Sequence, residues 1–454
     1  MSSRSFPLPV AALAALAALV GCSGEPKDTG QFIDNDGDEV GADQDCDDED
    51  PTVWAPDIPL EAGLSSDTLP DFCFGYCARS TLGDVTLSSA GLSDLSDLSC
   101  LTSIAGSLTV TESDSLVSLA GLERVASIGG DLNIQGNDNL LTLNGLERLG
   151  SIGGFVSIRE NQLLADVTGL SSLGSIGGTL TIKSNNELAS LDGLEHLTTA
   201  PEDLFVQENS ALASVRGLSG LTGVARDLRL DENDLLTSLS GLEALQTVGE
   251  DLTLKGQDIL SSLSGLSGLV AVGGDITLQD NDGLLDLSGL DALAEIGGDL
   301  WLQDNDSLLH LSGLGGLSGV GGDVTIKSND ALLDLSGLDG ITSVGGDLNL
   351  LNHKGLLSFA GLDALSAVGG DVNLENNKVM VDMSGLDALR TVDGSLSISN
   401  NAALTALTQL YGVRAVGLNL VITDNSTLPT SEAEALAAEI DTIGGEVLIT
   451  GNLP

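Results

Sequence analysis

Ten carboxylates and no basic side chain fall between Asp34 and Asp50. The stretch reads Asp34-Asn-Asp-Gly-Asp-Glu-Val and runs on to Asp43-Gln-Asp-Cys-Asp-Asp-Glu-Asp-Pro51. Oxygen ligands at alternating positions, with Gly37 permitting a sharp turn, are what Ca2+ coordination demands. Asp34, Asp36, Gly37 and Asp38 match the opening of an EF-hand loop, and Asp45 stands where that loop carries its bidentate Glu. A segment this charged has almost nothing apolar to bury, so it either orders around a cation or stays an acidic linker.

A second set of acids recurs far downstream. Asp203, Asp227, Asp251, Asp275, Asp299, Asp323, Asp347 and Asp371 are spaced evenly, with Asp131 earlier in the same phase. Stacked in a column, such carboxylates repel unless something compensates them. Backbone N–H groups in the Gly-Gly turn that precedes each Asp would do so, and Ca2+ along the column is the alternative.

Catalytic chemistry has little to work with. The three histidines, His196, His310 and His353, stand in separate repeats without metal-ligand spacing. The recurring Gly-Gly has no following Lys and marks a turn, not a phosphate cradle. The expectation is therefore no enzyme. Its rival is a β-helix enzyme acting on acidic polysaccharides, which would need long loops on a few coils to build a groove.

These residues sit on a periodic scaffold. One unit reads Gly129-Gly-Asp-Leu132-Asn-Ile134-Gln-Gly-Asn137-Asp-Asn-Leu140-Leu-Thr-Leu143-Asn-Gly145-Leu146-Glu-Arg-Leu149-Gly-Ser-Ile152. The Leu132 position is refilled by Leu, Val or Ile every 24 residues from Leu108 to Leu420, giving fourteen units, with looser ones around Val85 and Val447. A fixed period of this length marks a solenoid whose coils bury their apolar edge only against neighbours. Leu132 and Ile134 alternate with polar residues, so they predict one short strand. Leu140, Leu143, Leu146, Leu149 and Ile152 follow at three-residue steps, which suits 3₁₀-like arcs and not a helix. The expected fold is mainly β: a single-handed parallel β-helix or LRR-like solenoid of about sixteen coils, on the order of 75 Å long at one strand spacing per coil.

One column predicts register. Asn stands at Asn137, Asn161, Asn185, Asn209, Asn233, Asn281, Asn305, Asn329, Asn377, Asn401 and Asn425, departing at Ser113, Gln257 and His353. Asn tolerates the left-handed region, and its amide both donates and accepts, so a structural ladder is expected where the strand turns. Outward strand positions carry Arg159, Lys183, Arg229, Lys255 and Lys327, for which charge pairing between coils is expected and a ligand patch is the alternative. Phe205 and Trp301 share that face, four coils apart, and are expected to pack singly. At the far end Ser431-Glu-Ala-Glu434 reads as a capping box opening a short helix that covers the last regular coil.

The start of the chain predicts export. Arg4 precedes an apolar run from Val10 to Val20, too short to span a bilayer, ending in Leu19-Val20-Gly21-Cys22. That tetrapeptide resembles the lipobox of bacterial lipoproteins, which implies acylation of Cys22 and a cell-envelope location. Ser23 after the Cys points to the outer membrane. Without Arg4 the mature chain has 15 basic and 67 acidic residues, a net charge of −52, which disfavours nucleic acid and anionic membrane surfaces as partners. Export also permits disulfides. Setting Cys22 aside, Cys46, Cys73, Cys77 and Cys100 allow three pairings, all placed to staple the N-terminal cap.

Two further resemblances bear on organisation. The acidic run resembles thrombospondin type 3 repeats and the short Asp-Cys-Asp-Asp-x-Asp-Pro metal-binding motif of bacterial surface proteins. This implies Ca2+ ligands among Asp34, Asp36, Asp38, Asp45 and Asp47. The unit Gly-Gly-Asp-Leu-x-Ile-x-x-Asn-x-x-Leu-x-x-Leu-x-Gly-Leu is related to the leucine-rich repeat and is closer to the receptor L domain, a β-helical ligand-binding module. The reading is then a signal peptide over residues 1–21, a tether over 22–33, an acidic Ca2+-binding segment over 34–62, a cysteine-containing cap over 63–84 and the solenoid over 85–454. The implied role is protein or glycan recognition, with a structural spacer or surface-layer component as the second possibility.

Overall fold

The computed structural model describes residues 64–66, 69, 72–73 and 78–454. These residues belong to one compact unit, which contains every feature that follows. Cys22, the five candidate metal ligands Asp34, Asp36, Asp38, Asp45 and Asp47, and Cys46 and Cys77 lie outside the described residues.

Leu132 and Ile134 point inward from the strand Leu132–Gln135, and both are fully buried. The strand pairs in parallel with Leu108–Thr111 before it and Val156–Arg159 after it, Leu132 facing Leu108 and Val156 without a slip. Repetition of this step makes one sheet of 17 strands from Leu64–Ser65 to Val447–Thr450, which encloses sixteen coils. The solenoid therefore begins at Leu64, inside the segment read from sequence as a cap. That first rung pairs with Val85–Leu87, and a disulfide joins Cys73 to Cys100 with Cα atoms 5.5 Å apart.

The three-residue spacing of leucines becomes a chain of tight turns. Leu140 donates to Asn137, Leu146 to Leu143 and Leu149 to Leu146, each across three residues. Every inward corner from Leu140 to Leu149 is fully buried, and the same columns join all coils into one apolar core. Two kinds of glycine permit this closeness. Gly145 has φ +116°, and a Cβ there would overlap the carbonyl of Leu119 in the coil below. A Cβ on Gly154 would overlap the Asp131 carboxylate. Glycine at both positions is thus a condition of stacking.

A second, shorter strand such as Ser151–Ile152 completes each coil. These strands, two residues long except for Arg79–Thr81 and Leu101–Ile104, form three sheets of five, five and six strands. The first interruption has a chemical cause. In regular coils the N–H of the first glycine donates to the coil below, as Gly153 does to Ile128. Pro201 occupies that position and has no N–H to give Ile176. Ile176 is 7% exposed, while the other inward residues of its column from Ile104 to Val416 are at 4% or less.

The single helix near the C-terminus spans Thr430–Glu439 and buries Ala433 and Leu436. Its start corrects the capping-box reading. Pro429 is the N-cap and no side chain caps the helix, while Thr430 Oγ1 donates to the Leu453 carbonyl. Pro429 sets the turn into the helix two residues before Ser431, which therefore lies inside the first turn. The helix replaces the arc of the last coil, and the strand Val447–Thr450 follows it as the outermost rung, with Val447 and Leu448 about half exposed.

Candidate functional site

Each face strand ends in two hydrogen-bonded ladders. At its C-terminal end stands the Asn column, buried along its whole length. The Asn161 side-chain carbonyl accepts the Asn137 backbone N–H at 3.2 Å, and Asn161 Nδ2 donates to the Ile134 carbonyl at 3.0 Å. One amide thus satisfies a donor and an acceptor that the turning backbone of the preceding coil leaves open. The pattern continues through Asn425 to Asn452, whose side-chain carbonyl accepts the Asn425 N–H at 3.1 Å.

The departures keep part of this chemistry. Ser113 Oγ donates to Leu87, while its N–H goes to Asn137. His353 is buried and presents Nδ1 to the Asn329 N–H and Nε2 to the Ile326 carbonyl, at 3.3 and 3.0 Å. Its burial pushes the imidazole pKa below the ordinary 6.5, so the ring is held neutral. Gln257 Nε2 reaches the Leu230 carbonyl at 2.7 Å, but its Oε1 is buried without a partner. The extra methylene carries the amide past the position where Asn would accept.

Left-handed backbone falls one residue earlier than expected. Glu160 has φ +55°, and the same holds for the residue before the ladder position from Glu112 to Gly451, mostly Glu, Asp, Ser or Asn. The ladder amide itself faces inward, so the conformational cost passes to its exposed neighbour.

The Asp column occupies the other end of the strand. Asp275 Oδ1 accepts the Asp299 N–H at 2.7 Å, and equivalent bonds of 2.6–3.3 Å run from Asp203 to Ser395. The compensating N–H groups come from the next coil, not from the same turn as the sequence suggested. Asp131 does the same for Phe155 at 3.0 Å.

Between the ladders lie two outward columns, and these vary. One reads Ser157, Thr181, Phe205, Arg229, Thr253, Thr277, Trp301, and the next Arg159, Lys183, Gln207, Asp231, Lys255, Gln279, Gln303. Charge pairing here is partial. Lys183 Nζ lies 2.8 Å from Glu208 in the next coil, which holds the Glu208 carboxyl below its usual range. Arg229 reaches Asp227 within its own coil at 3.5 Å and lies over the Phe205 ring, 5.7 Å from its centre. Phe205 is thus not packed singly, whereas Trp301 stands between Thr277 and Thr325, 36% exposed. Asp231 is half-buried; burial raises its pKa, opposed by the Gln207 hydrogen bond and by Arg229 and Lys255.

Other surfaces are simpler. Beyond the Asn ladder, Glu112, Asp114, Asp138 and Glu160 line a shallow depression of about 550 Å³. Further along, Asp306 is raised by partial burial and by Asp330 and Asp282 beside it. On another side, Leu285, Leu309, Leu333, Leu357 and Val381 are each at least 40% exposed in five consecutive coils. His196, His310 and His353 remain in separate coils, and among the described residues no group of three His, Cys, Asp or Glu is placed to hold a metal ion. No helix among them is long and apolar enough to cross a membrane.

No protein-family model matches this chain, and no curated protein matches it. Among solved structures, the crystal structure of a TLR13–ssRNA13 complex is similar at 15% sequence identity, over 87% of this chain and 68% of that one, with a TM-score of 0.26.

Proposed function

We propose that this chain is a non-enzymatic recognition scaffold that presents its 17-stranded sheet to a partner at the cell envelope. The observation that carries the reading is the contrast between columns. Side chains at the strand ends repeat because the backbone of the adjacent coil needs them. Outward side chains such as Thr181, Phe205, Arg229 and Trp301 change from coil to coil and serve no backbone group. A constant scaffold carrying a variable flat face is how solenoids build extended binding surfaces. Resemblance to the receptor L domain supports the same reading. Acylation of Cys22 would anchor the chain, and Ca2+ held by Asp34, Asp36, Asp38, Asp45 and Asp47 would order the neck between anchor and solenoid.

The test is capture from envelope extracts by the mature chain and by a Phe205→Ala, Arg229→Ala, Trp301→Ala variant. All three side chains lie outside the core, so melting should stay unchanged while capture is lost. Identical capture by both would leave a structural spacer as the better description.

A further inference from the structure

Basic side chains are scarce, 16 against 67 acids, yet the face strands from Val156–Arg159 to Leu252–Lys255 carry four of them. Arg159 and Lys183 are direct partners on adjacent rungs, and Lys255 lies beside Asp231. Five rungs cover four strand spacings, roughly 19 Å. Within that span only Asp231 is acidic at an outward position. Among the described residues Arg159 and Lys255 have no carboxylate within 4.0 Å, although the chain is rich in acids. Nε of Arg159 and of Arg229 is shut off from solvent without an acceptor. Lys183 and Arg229 each meet one acid at a strand end, Glu208 and Asp227, while among the described residues Arg159 and Lys255 are not held by any carboxylate of the scaffold.

Resting on the reading of the sheet as a recognition face, we propose that these five rungs form a subsite for an anionic polysaccharide, with Arg159, Lys183, Arg229 and Lys255 as its charged contacts. The other outward groups argue for a sugar chain over an acidic peptide. Thr253 and Gln207 offer a hydroxyl and an amide at partly exposed positions, Ser157 and Thr181 being almost covered at 6% and 4%, and Phe205 is the one large apolar side chain. A protein partner anchors on clustered buried aromatic and apolar side chains, which this patch lacks. An extended peptide that adds to a sheet needs a free edge, and the patch lies mid-sheet. The surrounding negative surface confines a polyanion to the island and opposes sliding along the solenoid.

Binding is measured on the mature chain with polygalacturonate and dextran sulfate, which separate uronate from sulfate, beside uncharged dextran and poly-glutamate. A charged polysaccharide should bind and lose affinity as salt rises, while uncharged dextran should not bind. Lys183→Ala and Arg229→Ala should each weaken it about tenfold. Asp231→Asn should strengthen it, since the one carboxylate at an outward strand position is removed; this gain cannot arise from misfolding. Binding of poly-glutamate alone, equal binding of dextran, or no response to the three substitutions would overturn the proposal. Capture from envelope extract that persists in Lys183→Ala and Arg229→Ala would overturn the subsite while leaving recognition by the sheet intact.

Discussion

The two ends of each face strand solve the same problem with different side chains. At one end Asn161 Oδ1 accepts an N–H from the coil below and its Nδ2 donates to a carbonyl of that coil. At the other end Asp275 only accepts, from the Asp299 N–H of the coil above. The amide is neutral and can be fully buried, whereas a carboxylate keeps part of its surface in water to hold its charge. Register is therefore fixed mainly by the buried ladder. The Asp ladder adds directionality and leaves a row of negative charge on the surface.

Breaking the buried ladder should cost most. Asn281→Ala leaves the Gln257 N–H and the Leu254 carbonyl without partners in a dry interior, a loss of about 3 kcal/mol in denaturant unfolding. Asp275→Ala removes one bond at a site water can reach, so about 1 kcal/mol is expected in the same assay. Gln257→Asn sharpens the contrast from the other side. It should supply the acceptor that Gln257 Oε1 fails to place, a gain of about 1 kcal/mol.

The histidine in the buried ladder predicts a pH effect with a definite sign. His353 has a folded pKa below 6.5, so as pH falls through that value the unfolded chain takes up a proton that the folded chain refuses. Stability should be fully present above 6.5 and decline below it. His353→Asn should flatten that part of the curve while retaining the bonds to Asn329 and Ile326. The smallest effect expected is none. A chelator should leave the melting of the solenoid unchanged, because each Asp in the column already has an N–H partner.

Much of this was legible in the residues. The Leu132 phase and the three-residue leucine spacing predict the face strand and the tight turns, since period alone decides which side chains point inward. Other features are not written locally. The strand Ser151–Ile152 is two residues long and shows no alternation to read. The partner of Asp275 lies 24 residues away, so only stacking reveals it. Left-handed backbone falls on Glu160, a residue type that gives no signal for it. Likewise the outward position of Arg159 follows from alternation, but its lack of an ion pair depends on where every nearby acid ends up.

Native-state hydrogen exchange read along one rung separates the two ladders. The Asn281 N–H, held in the buried ladder by Asn305, should exchange at the rate of global opening, while the Asp299 N–H should exchange faster through local fluctuation. Faster exchange at Asn281 than at Asp299 would contradict a register held mainly by the buried ladder.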